Sequence, residues 1–196
     1  MQPKTAYLFI IAAPSGGGKT TLCREVRKRF ADMLYSVSYT TRRLRDGEQE
    51  GVDYHFIDKK EFEDGIAAGK WAEWALVHGN YYGTSADFLD KGLSAGRDIL
   101  LDLDVQGTRQ ILERYANCVA IFILPPSLDV LEQRLKARGT DSAESIALRL
   151  RNAEEEMKQQ DLYHHVIVND QLSKSVPALI SIIDHYRTTD DLRREG

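Results

Sequence analysis

An apolar run at residues 7–12 passes directly into Ala13-Pro14-Ser15-Gly16-Gly17-Gly18-Lys19-Thr20, and from Lys19 onward Leu22, Val26 and Phe30 recur at four-residue spacing. Strand, glycine-rich turn and amphipathic helix in that order leave a chain few options, because such a turn points backbone N–H groups inward around a polyphosphate. The helix adds the positive end of its dipole, Lys19 is long enough to reach the outer phosphates, and the Thr20 hydroxyl suits magnesium. This is the P-loop pattern at every defining position but the first, where Ala13 stands for glycine. That change matters only if residue 13 needs a positive φ.

Further short apolar runs at residues 99–103, 119–124 and 166–168 alternate with helical stretches, the last at 177–186 stacking Leu179, Ile182, Ile183 and Tyr186. The alternation predicts an α/β fold with a parallel sheet flanked by helices. Two regions break the rhythm. Residues 36–84 offer strand-like pieces at 36–41, 54–57 and 71–77, a polar loop at 43–53 and a short helix at 61–68, which together read as an insertion rich in antiparallel strands. In residues 127–160, Leu128, Leu131 and Leu135 mark a helix that Gly139 stops, and Asp141 with Glu144 can cap a second helix carrying Ile146, Leu150, Ala153 and Met157. A hinged pair of this kind makes a lid. The core is left as 1–35, 85–126 and 161–196, within one domain of 196 residues; the polar segment 187–196 is expected to fray.

With 26 basic and 30 acidic residues the net charge is −4, which argues against a surface built to neutralise a nucleic-acid backbone, so any anionic ligand must be met locally. Only Cys23 and Cys118 are present, far apart, which favours a reducing, cytoplasmic setting over a disulfide or zinc framework. Lys4 and the apolar run after it faintly resemble a secretory signal, but the run is short and enters the functional turn. No segment approaches membrane-spanning length.

Asp102 and Asp104 lie two apart at the end of an apolar strand, where open α/β sheets bind ligands, and an acid there is placed to hold magnesium or its waters. The bland alternative is a pair of acids facing water. Phosphoryl transfer asks mostly for charge neutralisation, so arginines are informative. Arg134 and Arg138 share a face of the first lid helix and Arg149 follows on the second; closure would bring all three over the phosphates, the alternative being a solvated face. Arg42 and Arg45, with Tyr54, suit a clamp on a second phosphate, although Arg43 breaks the uniqueness of that choice. Glu73, between Trp71 and Trp74, offers two acceptor oxygens that match the adjacent N–H donors of a guanine edge. Residues 80–84, Asn-Tyr-Tyr-Gly-Thr, read as a tight turn supplying hydroxyls.

The blocks Pro14-Ser15-Gly16 through Lys19-Thr20, Ser38-Tyr39-Thr40-Thr41-Arg42 with Arg45 and Gly47-Glu48, Asp53-Tyr54, Gly79 to Thr84, Asp102-Leu103-Asp104 with Gln106-Gly107, and Val168-Asn169-Asp170 follow one another with the order and spacing of guanylate kinases. The chain resembles that family over residues 5–187. The resemblance implies a P-loop NTPase core, a monophosphate-binding insertion at 36–84 and a helical lid at 127–160. It implies that GMP is held through its phosphate by Arg42, Arg45, Tyr54 and Tyr82, and through its base by Ser38, Glu73, Thr84 and Asp104, with Asp102 nearby. On the ATP side it implies the loop from Ala13 to Thr21, Arg134, Arg138 and Asn169, with Arg149 contributing from the lid. Thr20 and Asp102 would organise Mg2+. Leu44 departs from the proline frequent before Arg45, and Ala13 occurs in a subset of the family.

The expected activity is transfer of the γ-phosphoryl of Mg-ATP to GMP, with ATP and GMP as partners and neither nucleic acid nor membrane. The acceptor is a phosphate oxygen already ionised near neutral pH, so no protein base is required. Two alternatives stand beside it. One is a phosphotransferase acting on another monophosphate or a sugar bisphosphate; the other is a non-catalytic interaction module of the same fold.

Overall fold

The computed structural model describes residues 5–77, 79–137 and 142–192, with backbone only for 189–192. The described elements run β1 (Leu8–Ala12), α1 (Lys19–Arg29), β2 (Leu34–Tyr35), β3 (Tyr39–Thr40), β4 (His55–Phe56), α2 (Lys59–Ala67), β5 (Trp71–Val77), β6 (Asn80–Ser85), α3 (Ala86–Ser94), β7 (Ile99–Asp102), α4 (Val105–Arg114), β8 (Cys118–Leu124), α5 (Leu128–Ala137), α6 (Ala143–Met157), β9 (His165–Val168) and α7 (Leu172–Leu192). The main sheet is parallel, in the order β2-β7-β1-β8-β9. β1 is buried along its whole length, as a central strand covered on both faces must be.

Alternation along the strands divides the core in two. Phe9, Ile11, Ile121 and Ile123 face Leu22 and Val26 of α1 and Leu179 and Ile183 of α7. Leu8, Ile10, Ala120 and Phe122 face the other way, onto Ala86 and Leu89 of α3 and Ile111 of α4. The α/β expectation holds, with strand boundaries within a residue or two of those read from the sequence. Among the described residues no helix is long and apolar enough to cross a membrane.

The interruptions stand apart from this core. β4-β3-β6-β5 form a second sheet, antiparallel except for the β3–β4 pair. Residues 80–84, expected to be a turn, are strand β6 lying between β3 and β5; the turn falls at Gly79, φ +80°. The polar composition of β6 disguised a strand held by neighbours on both sides. α5 and α6 pack on each other through Leu131, Leu135, Ile146 and Ala153. The α6 cap is Ser142, whose hydroxyl accepts from the Ser145 N–H; Gly139 and Asp141, read as stop and cap, lie outside the described residues.

The expectation of a frayed end at 187–196 is corrected for 187–192; residues 193–196 lie outside the described residues. α7 begins at Leu172 and continues to Leu192. Arg187 is anchored by an ion pair to the buried Asp98 (2.9 Å) and another to Asp32, while Asp98 also accepts from the Tyr7 N–H. Local polarity concealed a long-range partner.

Candidate active site

A cavity of about 460 Å³ opens between the carboxyl ends of β1 and β7 and the second sheet, within the size range of small-molecule sites. Its floor is the loop after β1. Gly16 and Gly18 adopt φ of +94° and +98°, values that L side chains rarely take, and Gly18 is the N-cap of α1 with no side-chain cap. Ala13 buries its methyl group in the core, against the position a Gly17 Cβ would occupy. Ala13, Pro14, Ser15, Gly16, Gly18, Lys19, Thr20 and Thr21 line the cavity, whereas Gly17 turns away and its N–H donates to the Pro14 carbonyl.

Parallel pairing sets Asp102 beside Ile11, so the carboxylate arrives next to the loop. Lys19 Nζ lies 2.5 Å from Asp102 Oδ1 and donates to the Leu103 carbonyl at 3.1 Å. Burial works against the Lys19 charge, but the carboxylate outweighs it and raises the ammonium above its ordinary pKa. The lysine is therefore cationic across physiological pH. Asp104 also lines the cavity while its Oδ1 accepts from the Gly107 N–H as the N-cap of α4.

The opposite wall comes from the second sheet. A bulge between Trp71 and Glu73 shifts the register of β5, after which exposure alternates: Glu73 and Ala75 inward, Trp74 and Leu76 outward. Glu73 is thereby only 5% exposed and directly opposite Thr84, whose hydroxyl donates to it at 2.6 Å. Burial pushes the Glu73 carboxyl up to about 7; Asp104 adds to this and the Thr84 hydroxyl opposes it. Ser38, Tyr54 and Tyr82 complete this wall. Thr84 itself is fully buried behind Glu73 and does not line the cavity.

Among the described residues, the candidate arginines do not line the cavity. Arg42 forms a two-pronged pair with Glu48 (2.7 and 3.0 Å) and lies over the Tyr54 ring, 5.4 Å from its centroid. Arg45 is exposed, and its N–H donates to the same Glu48. Arg134 donates to the Asn169 carbonyl (2.8 Å), and the buried Asn169 amide donates to the Gly17 carbonyl (2.9 Å), so α5, β9 and the loop are linked. Arg149 reaches Ser15 Oγ at 3.3 Å. Arg138 lies outside the described residues.

Sequence reasoning missed Glu156. It projects from α6 into the cavity, and burial pushes its carboxyl up to about 7 against the attraction of Lys19. Helical spacing held the clue, since Arg149 and Glu156 lie two turns apart on one face of α6.

A parallel sheet whose central strand feeds a P-loop, facing a second wall of acid and aromatic hydroxyl groups, defines a nucleotide phosphotransferase of the P-loop class. Comparison with known proteins narrows this. The family model described as guanylate kinase matches residues 5–186. Proteins named guanylate kinase from Geobacter sulfurreducens and Syntrophotalea carbinolica are 51% and 48% identical over 180 residues, covering 92% of this chain and 89% and 86% of theirs. The crystal structure of guanylate kinase from Anaplasma phagocytophilum superimposes with a TM-score of 0.75 at 30% identity, covering 95% of this chain and 89% of that one. The chain belongs to the guanylate kinase family.

Proposed function

We propose that the chain transfers the γ-phosphoryl group of ATP to GMP, giving ADP and GDP, across the cavity between the P-loop and the second sheet. The observation that carries this reading is the pair of opposed walls: Lys19 among backbone amides on one side, Glu73 with Ser38, Tyr54 and Tyr82 on the other. Residues 36–84 serve as the GMP-binding insertion, 127–160 as the lid and the remainder as the core.

GMP sits with its base edge against Glu73, whose ionised carboxylate accepts from two guanine N–H groups; adenine presents no such pair. Thr84 holds that carboxylate, and Ser38 and Asp104 complete the base end, with Asp102 nearby beside Lys19. Its phosphate points toward Tyr54 and Tyr82, with the Arg42 guanidinium turning in from Glu48 and the exposed Arg45 side chain joining it. ATP lies along the loop from Ala13 to Thr21, with Asn169 and Arg134 beneath it and Arg138 and Arg149 closing from the lid. Lys19, Arg42, Arg134, Arg138 and Arg149 act by neutralising charge as the phosphoryl group moves. Alignment of two phosphates and exclusion of water supply the rest.

The Thr20 hydroxyl and the Asp102 carboxylate both line the cavity, and a hard oxygen pair of this kind fits Mg2+, which binds through few protein groups plus substrate phosphates. When bound, the ion neutralises charge on the β- and γ-phosphates. The two cysteines, both free, suit a reducing cytoplasmic setting.

The test is Glu73→Gln, which replaces one acceptor oxygen with a donor. It should lower kcat/KM for GMP by at least about tenfold while leaving AMP turnover unchanged. An unchanged preference for GMP over AMP would remove Glu73 from base recognition.

A further inference from the structure

β5 is an edge strand, yet its outer backbone groups are not left open. One face of α4 carries Gly107, Gln110 and Arg114, spaced three and four residues apart, and each meets β5. Gln110 Nε2 donates to the Trp74 carbonyl at 2.9 Å, and its Oε1 accepts from the Trp74 N–H at 3.1 Å. One side-chain amide thus exchanges both bonds with a single residue, as a neighbouring strand would. Arg114 Nη1 donates to the Trp71 carbonyl at 3.0 Å, on the far side of the bulge. Between these anchors stands Glu73, and a Cβ on Gly107 would lie 2.7 Å from its Oε2. The helix therefore grips the strand on both sides of the base-reading carboxylate and leaves room for it at the only residue type without a side chain.

We propose that Gln110 is a positioning residue for base recognition: by clipping the Trp74 backbone to α4 it holds Glu73 in the cavity at the height and angle a guanine edge requires. This rests on the reading of Glu73 given above and assigns that reading a second, remote determinant. Without the clip the bulged strand can shift away from α4, and the Glu73 carboxylate moves with its backbone. The ATP side, which takes nothing from β5, is unaffected.

The experiment is steady-state kinetics on wild type, Gln110→Ala, Gln110→Glu, Glu73→Gln and the Glu73→Gln/Gln110→Ala double variant, with thermal melts to show that each is folded. Gln110→Glu keeps shape and acceptor but loses the donor to Trp74, and it stands in for the alanine variant if that one does not fold. The expected result is a rise of about tenfold in KM for GMP in either Gln110 variant, with KM for ATP, kcat at saturating GMP and kcat/KM for AMP all within about twofold of wild type. In the Glu73→Gln background, removal of Gln110 should add less than about twofold to the GMP KM, because the two residues act through one contact. Effects that multiply in the double variant, or an unchanged GMP KM in both single Gln110 variants, would overturn the proposal while leaving GMP recognition by Glu73 intact. A Glu73→Gln protein that handles GMP as wild type does would overturn both.

Discussion

Glu73 holds a carboxylate where burial disfavours its charge, and that tension gives it two measurable signatures. With its pKa raised to about 7 in the folded chain, the group is largely protonated below neutrality, whereas the proposed guanine contact requires the anion. KM for GMP should therefore rise as pH falls from 8 to 6, while KM for ATP stays flat; a flat GMP profile would place base recognition elsewhere. Stability moves the other way. The folded state retains this proton at pH values where the unfolded chain has released it, so the contribution of Glu73 is most favourable below its unfolded pKa and is lost as pH rises through 7. Glu73→Gln should thus stabilise the protein at pH 8, on the order of 2–3 kcal/mol by urea unfolding, with the advantage shrinking toward pH 5. The pairing of an acid with flanking tryptophans was legible in the sequence and pointed to guanine. Its hydrogen bond to Thr84 was not, because the two residues meet only through the β5–β6 register.

At the scale of elements, the P-loop was readable because a strand, its turn and a helix are contiguous and carry their own periodicities. β6 was not, since Asn80 and Gly83 imitate turn chemistry and only pairing on both sides makes the segment extended. α4 was overlooked for a related reason: its part in the site is set by what it faces, and Gln110 meets Trp74 across 36 residues of sequence. Gly107 tests that packing separately. Alanine should favour the helix by about 1 kcal/mol, but its Cβ would fall 2.7 Å from Glu73 Oε2, the mobile end of a side chain. The carboxylate should yield before the helix does. Gly107→Ala is expected to keep its melting temperature within about 2 °C and to raise KM for GMP roughly tenfold. A large loss of stability with unchanged KM would show that the contact is structural alone.

Across the whole molecule, the site depends on a sheet closed at its far side by α7. The sequence showed the apolar stripe of that helix but not its continuation past Tyr186, where Arg187 is held by partners distant in the chain. Arg187 neutralises Asp98, a carboxylate only 3% exposed that also receives the N–H at the start of the first strand. Arg187→Met should remove the ion pair to this buried carboxylate and cost about 3 kcal/mol in urea unfolding, with kcat and both KM values unchanged in the folded enzyme. A smaller loss, under about 1 kcal/mol, would mean that Asp98 is satisfied without it. Phosphoryl transfer from ATP to GMP through the P-loop cavity can be followed as ADP formation from Mg-ATP with GMP, AMP, UMP, CMP and dTMP offered separately, using Lys19→Met as control. Turnover with GMP should lie far above the other four and fall by at least about a hundredfold in a control that is still folded. Turnover that does not favour GMP, or that survives the loss of Lys19, would contradict the proposed function.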